Sequence, residues 1–146
     1  MYTLLVLLHV LGACIWVGGH LVLALAVLPR ALRRRDPAVV LGFEGGFERL
    51  GIPALLVQAA TGILLARHWA PDLWHWSMPP SPQAAVLHLK LGLLAATVLL
   101  GAHARLRLIP RLTPDTLPAL AAHIIAVTLL GVAFVVAGVV LRTGAY

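Results

Sequence analysis

Six of the seven histidines lie in or beside four long apolar stretches of this 146-residue chain. His9 and His20 belong to the first stretch, His88 and His103 to the third. A histidine facing lipid is costly, so one set into a bilayer-spanning bundle is a functional candidate by default. Imidazole is also the usual protein ligand of haem iron. On an α-helix, His9 and His20 fall within ~20° of one face and ~16 Å apart along the axis, and Gly12 and Trp16 share that face. His88 and His103 fall within ~60° and ~22 Å, with Gly92 along or near their stripe. Small residues beside a histidine let a planar macrocycle approach the backbone, and equally let another helix approach.

The elements that must hold these residues are helices in a membrane. Residues of the AVILMFWYC set make up 61% of the chain and charged residues 11%, with a mean hydropathy of +0.97, far from soluble composition. A hydrocarbon core of ~30 Å takes ~20 helical residues to cross. Spans are expected near Thr3–Leu28, Gly51–Trp69, Ala84–Leu106 and Pro118–Leu141. The first is too long for a signal h-region, has no positive n-region and reaches Pro29-Arg30 without a clear cleavage site. The expectation is therefore an all-α integral membrane protein, one domain over residues 1–146, built as a four-helix up-down bundle.

The net charge of +6 does not imply nucleic acid. Arg30, Arg33, Arg34, Arg35 and Arg49 flank the first connection, and Arg105, Arg107 and Arg111 the third; only Arg67, Lys90 and Arg142 lie on the other side. That bias is the positive-inside pattern of a multi-pass cell-membrane (inner-membrane) protein with both termini outside. The partner it implies is the lipid bilayer. The single cysteine, Cys14, lies inside a span, so neither an intramolecular disulfide nor a thiolate cluster can form.

Local punctuation agrees. Pro29 closes the first expected span, and Asp36-Pro37 is a helix-start pair. The segment to Leu50, with Phe43, Glu44, Phe47 and Glu48, reads as an interfacial helix. Trp69, Trp74 and Trp76 read as an interfacial aromatic belt. No internal repeat, nucleotide loop, serine elbow or carboxylate pair stands out.

Because alternate spans run antiparallel, His9, His88 and His68 share the outer level, and His20, His103 and His123 the inner one. The first and third helices of such a bundle are commonly diagonal across a core where ligands bind. His9 with His88, and His20 with His103, would clamp two haems roughly 20 Å apart; one haem at one level fits nearly as well. His68 and His123 are alternative ligands. In the structural reading, each histidine bonds a neighbouring carbonyl or faces headgroups. Lys90 either snorkels to the surface or neutralises a haem propionate or anionic substrate. Gln58 and Thr61 share a face of the second span and either line a pocket or bond across helices.

The run LHVLGACIWVGGHL, with His9, Trp16, Gly18 and Gly19, resembles the opening helix of the copper-resistance protein D (CopD) family. It also resembles that of the HemJ-like membrane protoporphyrinogen oxidases. ERLGIPALLVQAATGILL, with Arg49, Pro53 and Gly62, is similar to the second helix of both. VLHLKLGLLAATVLLGAHARLRLIPRL, with His88-x-Lys90 and His103, resembles the third helix of HemJ-like proteins. Their closing Arg-x-x-Asn-Glu motif has no counterpart in ALAAHIIAVTLLG, and His20 belongs to neither pattern. The resemblance implies a four-helix protein binding haem b, with His9, His88, Lys90 and His103 at matching positions.

Three functions follow for testing. The first is a haem b-binding redox protein, possessing one or two haems held without Cys-x-x-Cys-His attachment. It would act as an oxidoreductase or an electron carrier, with a quinone or redox protein as partner. The second is membrane copper binding or transport. Cu(I) prefers thiolate and thioether, of which only Cys14, Met1 and Met78 are present, so an outer site of His9, His75, Met78 or His88 is the better copper candidate. The third is a non-catalytic assembly subunit, homo-oligomeric or otherwise, whose histidines are interhelical glue.

Overall fold

A computed structural model describes residues 1–69 and 81–145. Trp74, His75, Trp76 and Met78 and the side chain of Trp69 lie outside them, and with them the aromatic-belt reading and part of the outer copper site. Four helices follow one another, Tyr2–Arg34, Ala38–Trp69, Pro82–Arg111 and Leu117–Thr143, each long and apolar enough to cross a membrane. The protein is an all-α four-helix membrane bundle.

The helices outrun the expected spans. The first has 33 residues, about 50 Å at 1.5 Å per residue, and continues through Pro29 to Arg34 where the sequence suggests a stop. The reason is a π turn over Leu23–Val27. Proline lacks an N–H and crowds the carbonyl four residues back. Just ahead of the proline the i→i+5 pattern is in place, with the Leu28 N–H donating to the Leu23 carbonyl. The wider turn also brings Leu23 and Leu28, five residues apart, into one core with Ala31, Val40, Leu117 and Leu120. The device recurs in the third helix, where a π turn over Ala104–Leu108 precedes Ile109-Pro110-Arg111. Each π turn is thus followed by an aliphatic residue, proline and arginine, a local recurrence too short to stand out along the sequence.

Chain reversals are tight. Arg35 takes a left-handed φ of 51°, and Asp36 Oδ1 accepts the Ala38 N–H at 2.9 Å. The segment expected as a separate interfacial helix is the opening of the second helix, which begins at Ala38. The third helix starts from Ser81, whose hydroxyl accepts the Ala84 N–H at 3.2 Å, with Pro82 in the first turn.

The first helix packs on the second and fourth, and the third on the fourth, so the first and third are diagonal. Glycines set the closest approach. A Cβ on Gly12 would stand 2.9 Å from the Ala54 carbonyl oxygen. A Cβ on Gly19 would enter the ring of Phe47, which also sits against Gly51. The second and third helices meet near their ends, through Arg105–Glu48 at 3.2 Å and through Ala66 against Ala84 and Leu87. Between these contacts lies a cavity.

Candidate functional site

All four helices line this cavity of about 490 Å³, at the end of the bundle that carries both termini. Its walls are chiefly apolar, with Val6, Leu87, Leu94 and Phe134 among them, and its polar groups are few: His9, Gln58, Lys90 and Arg142 with Tyr2, Thr3 and Trp16. Among the described lining residues none is acidic. Mostly apolar walls with a few convergent polar groups are the usual make-up of a small-molecule site.

His9 is the best-oriented group. Its Nδ1 lies 2.9 Å from the Gln58 carbonyl oxygen and 3.1 Å from Thr61 Oγ1. A carbonyl oxygen only accepts, so Nδ1 carries the proton and Nε2 keeps its lone pair. Thr61 donates its own hydroxyl proton to the Val57 carbonyl at 2.6 Å. Gly62 makes room for the ring, since a Cβ there would stand 3.0 Å from His9 Cε1. Gln58 and Thr61 therefore reach across helices, and Gln58 also lines the cavity. The Oε1 of Gln58 is buried without a hydrogen-bond partner among the described residues.

Lys90 reaches the cavity from the third helix and Arg142 from the fourth. The Lys90 ammonium passes beside Gly138, where a Cβ would lie 3.7 Å from Nζ. Among the described residues no carboxylate pairs with it. Arg142 contributes to the sequence-level charge bias, yet its cavity role went unread there. The signal lay in its spacing, because Phe134, Gly138 and Arg142 recur every four residues along one helix face.

The other expected site residues go elsewhere. The cavity-facing stripe of the third helix runs Leu87, Lys90, Leu91, Leu94, and His88 is not part of it. It is half-buried and does not line the cavity, so His9 and His88 do not share a wall. Trp16 lines the cavity and closes it toward His20, whose ring centroid lies 4.4 Å from its own. His20 is enclosed by Trp16 and Phe47, and its Nδ1 donates to the Trp16 carbonyl at 2.9 Å. His103 is engaged by His123, Nδ1 to Nε2 at 2.9 Å, rather than by His20. Exposed His68 meets the Tyr2 ring in a tilted contact, centroids 5.3 Å apart. Gly12 serves the contact between the first and second helices, and Gly92 is exposed with nothing within 4 Å of a built Cβ.

The model of the family described as copper resistance protein D, CopD, matches residues 41–141. The chain belongs to the CopD family. The matched region covers nearly all of the second helix, the third and most of the fourth, so His9 and His20 precede it, while Lys90, His103 and His123 lie within it. No curated protein and no solved structure matches the chain. For this CopD-family chain copper is the implied metal, and its residues can be tested for fit. Among the described residues no group of three or more His, Cys, Asp and Glu is close enough to hold a metal ion, and Cys14 is exposed. An enclosed copper centre does not fit these residues.

Proposed function

We propose that the protein is a membrane redox protein with one haem b, held non-covalently in the four-helix cavity with His9 as axial ligand. The observation that carries this reading is the His9 ring, fixed through Nδ1 by the second helix inside an apolar cavity with Lys90 and Arg142 on its walls. Ligating histidines usually donate their second ring N–H to a carbonyl or carboxylate, which sets tautomer and direction. When bound, haem supplies one-electron chemistry whose potential depends on its axial ligand and surroundings. The chain's own part is to present Nε2, exclude water with its aliphatic walls, and offset carboxylate charge with Lys90 and Arg142. Orientation in the cell membrane with both termini outside is part of the same reading, supported by the arginine bias.

A second reading is favoured by the family match: membrane copper handling. One preparation separates them. Protein purified in detergent is analysed by pyridine haemochrome, by reduced-minus-oxidised absorption and for bound copper. The expected result is haem b near one per chain, lost in H9A and retained in H20A. Absence of haem from wild type, or full haem retention in H9A, overturns the assignment; stoichiometric copper without haem establishes the second reading.

A further inference from the structure

Away from the cavity, at the arginine-bearing end, two ligating side chains from neighbouring helices meet. His103 Nδ1 and His123 Nε2 stand 2.9 Å apart, with ring centroids 5.0 Å apart and planes inclined by 21°. His123 Nδ1 lies 3.0 Å from the carbonyl oxygen of Ala119. Since a carbonyl only accepts, this nitrogen holds the proton, and His123 Nε2 directs a lone pair at His103, whose Nδ1–H donates to it.

We propose that His103 and His123 form a surface site for a divalent transition-metal ion, separate from the cavity. Spacing is the first support. Two nitrogens each ~2.0–2.1 Å from a metal and subtending about 90–110° there are roughly 2.9–3.4 Å apart, so the pair already stands at the short end of that range. Orientation is the second, because the Ala119 carbonyl is the kind of outer partner that fixes a ligating imidazole. Access is the third. His103 is exposed and His123 half-buried, at the end of the bundle that carries Arg105, Arg107 and Arg111, so coordination positions stay open at headgroup level. Arg105 turns to Glu48 of the second helix, away from the fourth helix that supplies His123.

Metal binding takes one proton movement: the His103 ring proton passes from Nδ1 to Nε2, freeing the Nδ1 lone pair with no net proton release. Imidazole ligands suit Cu²⁺, Zn²⁺ and Ni²⁺, with Cu²⁺ bound tightest in the first-row order. Two protein ligands completed by water make a site that loads and releases its ion, unlike the closed four-ligand structural sites.

The full-length protein in detergent is titrated with Cu²⁺ and followed by electron paramagnetic resonance. One equivalent with nitrogen hyperfine splitting is expected, with affinity at least tenfold weaker in H103A and in H123A and unchanged in H68A. A second measurement needs no variant: Zn²⁺ should protect His103 and His123 together from diethylpyrocarbonate, read by mass spectrometry, while exposed His68 continues to react. Wild-type Cu²⁺ affinity in both variants, or equal acylation of the pair with and without Zn²⁺, overturns the site.

Discussion

His9 Nδ1 stands 2.9 Å from the carbonyl oxygen of Gln58, so the direction of a ring on the first helix is set by the backbone of the second. Thr61 Oγ1 is the auxiliary acceptor at 3.1 Å. In T61V the His9 N–H keeps one acceptor of two, and the ring becomes a weaker electron donor. Haem content should remain near wild type while the midpoint potential rises, and T61S should behave as wild type. Stability should fall by no more than about 1 kcal/mol, the usual worth of one hydrogen bond. Redox titration checks this, and an unchanged potential in T61V would assign the orientation to the Gln58 carbonyl alone.

Lys90 and Arg142 bring positive charge to a cavity whose described lining residues include no acid. K90M keeps much of the side-chain bulk and removes the charge. It should weaken haemin binding to apoprotein by roughly tenfold, the equivalent of ~1.4 kcal/mol. Haemin dimethyl ester, which has no carboxylates, should bind wild type and K90M alike. Equal losses for acid and ester would show that Lys90 acts through packing.

The Gly19 niche is filled by the ring of Phe47. G19A should destabilise the bundle by about 1–3 kcal/mol, the range for overpacked positions. Gly18 has open space where its Cβ would be, so G18A is the matched control. Unfolding in a detergent titration, with helicity as readout, compares the two. Equal stability would mean that Phe47 has an alternative rotamer with room to spare.

Topology is checked by reporter fusions. Fusions after residue 35 or 112 should report the cytoplasm, and one after residue 146 the exterior. The opposite pattern would invert every assignment of inner and outer histidines.

Much of the fold was legible because a bilayer imposes length and apolarity on each span, and four such runs with an arginine bias admit few arrangements. The helix ends were less so. Pro29 reads as a stop in one dimension, and only the π turn before it explains why the helix continues to Arg34. In the site, His9, Trp16 and Lys90 were legible as polar or aromatic groups on a lipid-scale helix. His88 does not line the cavity, which its spacing from His103 does not reveal. The stripe through Leu87, Lys90 and Leu94 sets the inward side. The partnership of His103 with His123 depends on how the third helix leans on the fourth, which spacing within one helix does not encode.

The recurring turn before Pro29 and Pro110 has a consequence for the cavity. His9 and Lys90 each stand twenty residues ahead of those prolines, and Val6 and Leu87, three residues earlier still, also correspond. The first and third helices thus share one local plan, and both line the cavity from opposite sides. At these matched positions the two helices differ in chemistry, His9 offering a nitrogen lone pair and Lys90 a positive charge. A guest held between them would meet unlike poles on facing walls, so charge as well as outline would set which way round it lies.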